Sequence, residues 1–179
     1  MQEPLDVVRD FSLRSDRARI ACMLTGSMAM NYYATPRMTR DIDIVIAVEP
    51  RDVPAVLAML GSDYFVFPEA VEEAVFARSM FNIIHSESLI KIDCIVEKPT
   101  TYHQQAFSRR VRVQIENFSA WIIQKDDLII CKLDWAKDSL SELQLADVRN
   151  LMATGYDRRY VEDWTERLGL TTVLAKAQT

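Results

Sequence analysis

The sequence predicts a mixed α/β core over residues 1–124 followed by a helical segment over 125–179. Strand-length apolar or alternating runs recur through the first part, separated by stretches whose apolar residues follow a helical period. After Gln124 the period becomes helical and stays so. Only four glycines and six prolines occur, with no low-complexity stretch and no internal repeat. The change at Gln124 therefore reads as a seam between packed parts and not as a flexible linker.

Residues 4–13 are expected to be helical, with Pro4 at a tolerated first-turn position and Leu5, Val8 and Ser12 on one side. Residues 19–25 read as a strand, 27–33 as a helix and 42–48 as a strand. Past Pro50, the spacing of Val53, Val56, Leu57 and Leu60 gives a helix stopped by Gly61. A short strand at 64–67 and a helix near 69–77 follow. Residues 80–85 and 89–96 form a hairpin around Ser86-Glu87-Ser88, and a short helix lies near 101–107. Residues 110–123 alternate as two strands, with Val111, Val113 and Ile115 on one face and Arg110, Arg112 and Gln114 on the other. Three helices then follow. The first holds Leu128, Ile129, Lys132, Leu133, Trp135 and Ala136. The second holds Leu143, Leu145, Val148, Leu151 and Met152 and stops at Gly155. The third holds Val161, Trp164 and Leu168 and stops at Gly169.

Composition narrows the class. A chain of 179 residues with 49% hydrophobic content can bury a sizeable core. No apolar run is long enough to span a bilayer, and Glu3 and Asp6 do not suit a secretion signal, so a cytoplasmic protein without a membrane partner is expected. With 21 basic against 26 acidic residues the net charge is −5, which argues against a broad, non-specific nucleic-acid surface. Cys22, Cys94 and Cys131 lie far apart in apolar settings, without the spacing of a zinc site, and are expected to be reduced and buried.

The chemistry concentrates in Leu24-Thr25-Gly26-Ser27 and Asp41-Ile42-Asp43-Ile44. Asp41 and Asp43, one residue apart on a strand, point to the same face. Two like charges so close repel, and a divalent cation between them relieves the repulsion. Gly26 and Ser27 fall where a strand gives way to a helix, whose free N–H groups attract phosphate. Asp93, inside the apolar run Leu89 to Val96, is costly to bury unless paired or bound to a metal. The bland alternative is two surface aspartates, one satisfied buried aspartate and a plain helix start capped near Ser27.

These residues resemble the nucleotidyltransferase superfamily, which includes DNA polymerase beta and the aminoglycoside nucleotidyltransferases. Its pattern is a hydrophobic residue, Gly, Gly or Ser, a spacer, then Asp-hydrophobic-Asp-hydrophobic; here the spacer Met28 to Arg40 is at the long end. Arg37-Met38-Thr39-Arg40-Asp41-Ile42-Asp43 is similar to small bacterial members that include toxins of toxin–antitoxin pairs. The matched motifs cover about residues 20–48, 89–96 and, more weakly, 128–152.

The resemblance implies a small mixed sheet with flanking helices and a C-terminal helical subdomain closing one side of a cleft. It implies Asp41, Asp43 and Asp93 as a catalytic triad on Mg²⁺, with Mn²⁺ as a substitute, and Asp93 as a general base. Gly26, Ser27, Arg37, Thr39 and Lys132 would bind a nucleoside triphosphate such as ATP. A solvated loop explains Arg37 and Arg40 equally, and a snorkelling surface residue explains Lys132, whose loss would then leave stability unchanged. Asp147 matches a position in a pattern that often has a second Asp where Gln144 stands, so that helix has no assigned role. His85 and His103 lie far from the motifs, and the tyrosines and tryptophans read as core or interface residues.

The implied activity is transfer of a nucleoside monophosphate from an NTP to an acceptor hydroxyl on a small molecule, a tRNA or a protein, releasing pyrophosphate. Alternatives are a non-catalytic nucleotide-binding or partner-binding module, or a toxin with an antitoxin partner.

Overall fold

The structure is a computed structural model that describes residues 3–39, 41–139 and 141–178, without the side chains of residues 138 and 139. In chain order the elements are α1 (Pro4–Ala18), β1 (Ala21–Thr25), α2 (Gly26–Tyr33), β2 (Ile42–Ala47), α3 (Val53–Leu60), β3 (Tyr64–Phe65), α4 (Pro68–Ala77), β4 (Met80–His85) and β5 (Lys91–Val96). They continue with α5 (Thr101–Ser108), β6 (Val111–Ile115), β7 (Phe118–Ile122), α6 (Lys125–Ser139), α7 (Glu142–Ala153), α8 (Arg158–Arg167) and α9 (Thr171–Ala177). A 3₁₀ turn, Pro50–Asp52, leads into α3.

The strands form one mixed sheet in the order β3-β4-β5-β2-β1-β7-β6. β2 runs parallel to β5 and β1 parallel to β7; the other neighbours are antiparallel. Alternation divides the sheet into two faces. One carries Ile42, Ile44 and Ile46 of β2, Ile92, Cys94 and Val96 of β5, and Phe81 and Ile83 of β4, all buried. α1 lies on this face: the Cys22 thiol donates to Ser15 Oγ at 3.3 Å, and Phe11 meets the Tyr64 ring edge-on. The other face carries Asp43, Val45, Asp93 and Ile95 and is only partly covered, by α5 and α6.

Most expected elements are present, with shifted ends. α1 continues to Ala18, past the expected residue 13, because Phe11 and Ser15 extend the buried stripe begun by Val7 and Val8. It stops where Arg19 turns left-handed at φ 57°. β1 begins at Ala21, two residues later than expected, after that cap. α9 was not expected; it packs Val173, Leu174 and Ala177 inward after Gly169 has ended α8.

Residues on both sides of Gln124 share one apolar core, in which Leu128, Ile129, Ile130, Leu133 and Ala136 of α6 join the buried sheet residues. A polar cluster also ties the helical segment down. Asp127 is fully buried and accepts from Arg109 Nε at 2.9 Å and from the Tyr160 hydroxyl at 2.6 Å. The Arg109 guanidinium lies 4.0 Å from the centre of the Tyr160 ring, so α5, α6 and α8 meet at one ion pair. Removing one partner of such a pair strands a buried charge. Arg109→Met should cost about 3 kcal/mol in urea unfolding; a cost under about 0.5 kcal/mol would mean the cluster holds nothing together.

Candidate active site

β2 carries Asp43 on the less buried face because Ile42, Ile44 and Ile46 occupy the other. The register sets Asp43 beside Thr25 of β1 and beside Asp93 of β5, and Asp93 beside Asn82 of β4. Thr25, Asp43, Asp93 and Asn82 thus form a polar row across four strands on one face, at the usual interstrand spacing of about 4.8 Å. Asn82 Nδ2 donates to one Asp93 oxygen, and Lys91 Nζ lies 3.0 Å from the other. Asp41 precedes β2 and is exposed.

Gly26 opens α2 at φ 61°, a conformation that disfavours side chains. It also touches the acidic row. A Cβ added at Gly26 would stand 2.0 Å from Asp43 Oδ2 and 2.7 Å from its Cγ. The helix start and the carboxylate therefore meet directly, and only a residue without a side chain permits it. Anything held on the N–H groups of the first α2 turn would lie against Asp43.

A second charged group stands beside that helix start. Arg37 grips the Asp147 carboxylate with both ends of its fork, Nε to Oδ1 and Nη2 to Oδ2, each at 2.9 Å. Its Nη2 also donates to Ser27 Oγ at 2.6 Å. Lys132 is fully buried and donates to Asp147 Oδ2 at 2.7 Å and to Gln144 Oε1 at 3.2 Å. Burial pushes the Asp147 carboxyl up, but the bonds from Arg37 and Lys132 outweigh it and hold the group below its ordinary range. The surface-lysine alternative for Lys132 is therefore wrong: a stem reaching for solvent would leave its head exposed. The solvated-loop alternative for Arg37 is likewise corrected by its double contact with Asp147.

Two asparagines hold the segment that carries Arg37. Asn31 of α2 exchanges both its amide bonds with the Arg37 backbone, at 3.0 and 2.9 Å. Asn150 of α7 does the same for Thr35, at 3.3 and 2.8 Å. Thr39 turns its hydroxyl toward the Asp41 backbone oxygen, at 3.4 Å. Arg40, also placed near the motif, lies outside the described residues.

The acidic row has the chemistry of a divalent-cation site. Burial raises the Asp43 carboxyl above its usual range, and Asp93 and Asp41 raise it further, against smaller opposing effects of Lys132 and Lys91. The Asp43 backbone pairs in the sheet, but its carboxylate accepts no hydrogen bond among the described residues, which leaves its oxygens open to a hard cation such as Mg²⁺. Among the described residues no three or more acidic, histidine or cysteine side chains are arranged as a complete metal-holding group. The geometry gives the reason: Asp41 stands outside the strand, and both Asp93 oxygens are engaged by Lys91 and Asn82.

The remaining candidates make contacts of their own. His85 bonds Ser88 and His103 bonds Thr100. Trp164 packs on Tyr102, and Arg110 lies over Trp121. All three cysteines are free thiols; Cys22 and Cys94 are buried and Cys131 is half-buried. No helix among the described residues is long and apolar enough to cross a membrane.

Neither a family model nor a curated protein matches the chain. Solved structures do. LnuA, a lincosamide antibiotic adenylyltransferase solved with lincomycin bound, is 15% identical with a TM-score of 0.54; the match covers 86% of this chain and 98% of LnuA. An antigenic nucleotidyltransferase-like protein from Paracoccidioides brasiliensis is 14% identical with a TM-score of 0.54, over 97% of this chain and 91% of that one. The antibiotic-resistance factor ANT(2'')-Ia is 12% identical with a TM-score of 0.52, over 97% and 85%. This chain has the nucleotidyltransferase fold, as its motifs lead one to expect. Identities this low show the fold alone.

Proposed function

We propose that this protein is a metal-dependent nucleotidyltransferase that moves a nucleoside monophosphate from an NTP to an acceptor hydroxyl. The observation that carries the reading is the direct contact of the α2 start with Asp43, at Gly26, beside the in-register Asp93. A phosphate chain on the α2 amides would present its α-phosphorus to that acidic row. Ser27 and Arg37 would supply donors around it, and Lys132, fully buried, would act through Asp147, which it holds in place against Arg37. Asp43, whose carboxylate is open, would hold Mg²⁺ or Mn²⁺; Asp93 would join it by giving up its contacts with Lys91 and Asn82, and Asp41 by turning in from the start of β2, and the ion would supply positive charge against the phosphates. The acceptor oxygen attacks the α-phosphorus, the bond to pyrophosphate breaks, and the hydroxyl proton passes to Asp93 as general base. LnuA and ANT(2'')-Ia, one solved with an antibiotic and the other named an antibiotic-resistance factor, favour a small-molecule acceptor.

The test is removal of the charge at Asp43. Asp43→Asn should retain the wild-type circular dichroism spectrum and lose transfer by at least about 100-fold. Chelation of divalent ions should do the same to the wild type, reversed by adding Mg²⁺. Full transfer by Asp43→Asn would dismiss the site.

A further inference from the structure

A cavity of about 420 Å³ lies against the acidic row, between the partly covered sheet face and helices α5 and α6. Thr25 and Asp43 line it on the side of the acidic row. Its floor is the next row across the same strands: Met23, Val45, Ile95 and Met80, which the register sets side by side. Ala106 of α5 and Trp135 of α6 form the walls. This volume falls in the range of small-molecule sites, which span about 300–1,000 Å³. Ser27, Arg37 and Lys132 line none of it, so it is a compartment separate from the cations at the α2 start.

The mouth is nearly neutral. Glu97 and Asp134 bring carboxylates, Lys98 an ammonium, and His103 an imidazole whose charged form burial, with Lys98, disfavours. Asp134 is already paired with Lys137 at 2.9 Å. A polyanion would meet the two carboxylates, and a polycation would find too few free ones. An apolar body would be accepted by the floor and walls.

We propose that this cavity binds an acceptor of one class: a small molecule with an apolar body, uncharged or singly charged, whose hydroxyl reaches Asp43. The proposal rests on the transferase reading for its reaction and on the cavity alone for its binding. Trp135 and Met80 stand at the opening, 43% and 51% exposed, so they can be changed without emptying the core.

The test uses calorimetry with three hydroxyl compounds: chloramphenicol and lincomycin, which have apolar bodies, and tobramycin, a polycation. At least one of the first two should bind without nucleotide, and more tightly than tobramycin. Trp135→Ala should weaken that binding about three- to ten-fold, and Met80→Glu at least as much, with ATP binding unchanged in both. Tobramycin binding best, neither apolar compound binding, or binding indifferent to both variants would overturn the proposal. Adding labelled ATP and Mg²⁺ separates the two readings. A compound that binds at the cavity without becoming labelled supports the cavity and counts against the transferase. A label carried only by RNA or protein supports the transferase and overturns the cavity proposal.

Discussion

Gly26→Val should abolish ATP binding and lower the stability of the fold. Two penalties add at this position. A β-branched side chain in the left-handed region costs about 1–2 kcal/mol, and φ is 61° here. A Cβ 2.0 Å from Asp43 Oδ2 also forces the carboxylate or the start of α2 to move. Overpacking of this kind costs about 1–3 kcal/mol, for a sum of about 2–5 kcal/mol. Binding should suffer more than stability, because the displaced groups are the anion-binding helix start and the carboxylate that faces it. Gly26→Ala, which lacks the branch, should be milder in stability and still lose at least about ten-fold in ATP affinity. Denaturant melts together with calorimetry read both effects, and an unchanged affinity in Gly26→Ala would place the phosphates elsewhere.

Lys132→Met should destabilise the protein and impair nucleotide binding together. A snorkelling lysine would be lost at a cost of at most about 0.5 kcal/mol. The structure reverses that expectation, because Lys132 is fully buried with Asp147 at 2.7 Å. Removing the ammonium leaves Asp147 with Arg37 alone. The cost of breaking a buried pair is about 3 kcal/mol or more, which lowers Tm by roughly 6–12 °C in a domain of this size. Adding Asp147→Leu should recover part of this loss, since it removes the stranded charge, but should not recover ATP affinity. A stability cost restored together with affinity would make Lys132 purely structural. The pH dependence follows from the sign at Asp147. Its carboxyl is held below the ordinary range, so its contribution is complete above about pH 4 and is lost as pH falls through the depressed value. The deficit of Lys132→Met should therefore shrink in acid.

The parts of the site that follow a local period could be read from the sequence. Asp43 and Asp93 sit in strands whose apolar alternation is plain, and Gly26-Ser27 marks a strand giving way to a helix. What escaped depends on distant partners. Asn150 clamps Thr35 across 115 residues of sequence, with no periodic signal to connect them. Asn31 and Asn82 are polar residues in an ordinary helix and strand until the register puts Arg37 and Asp93 beside them. A helical wheel puts Lys132 on an apolar face but cannot distinguish a buried ammonium from one that reaches solvent; the partner on α7 decides that. Asp147 could be noticed but not given a role, because its work is to hold Arg37 and Lys132 at once. α9 was lost because seven residues after a glycine stop are too few to show a helical period.

The most direct measurement follows the label in parallel incubations with ATP labelled at the α-phosphate or the γ-phosphate. The purified protein, Mg²⁺ and a cell extract are present in both, and Asp43→Asn is the control. The account predicts that acceptor takes up label only from the α-labelled ATP, that pyrophosphate appears in equal amount, and that Asp43→Asn forms neither. Uptake from the γ-labelled ATP, or bound ATP that yields no labelled product in any extract fraction, would contradict nucleotidyl transfer and favour a phosphoryl transferase or a nucleotide sensor on the same fold.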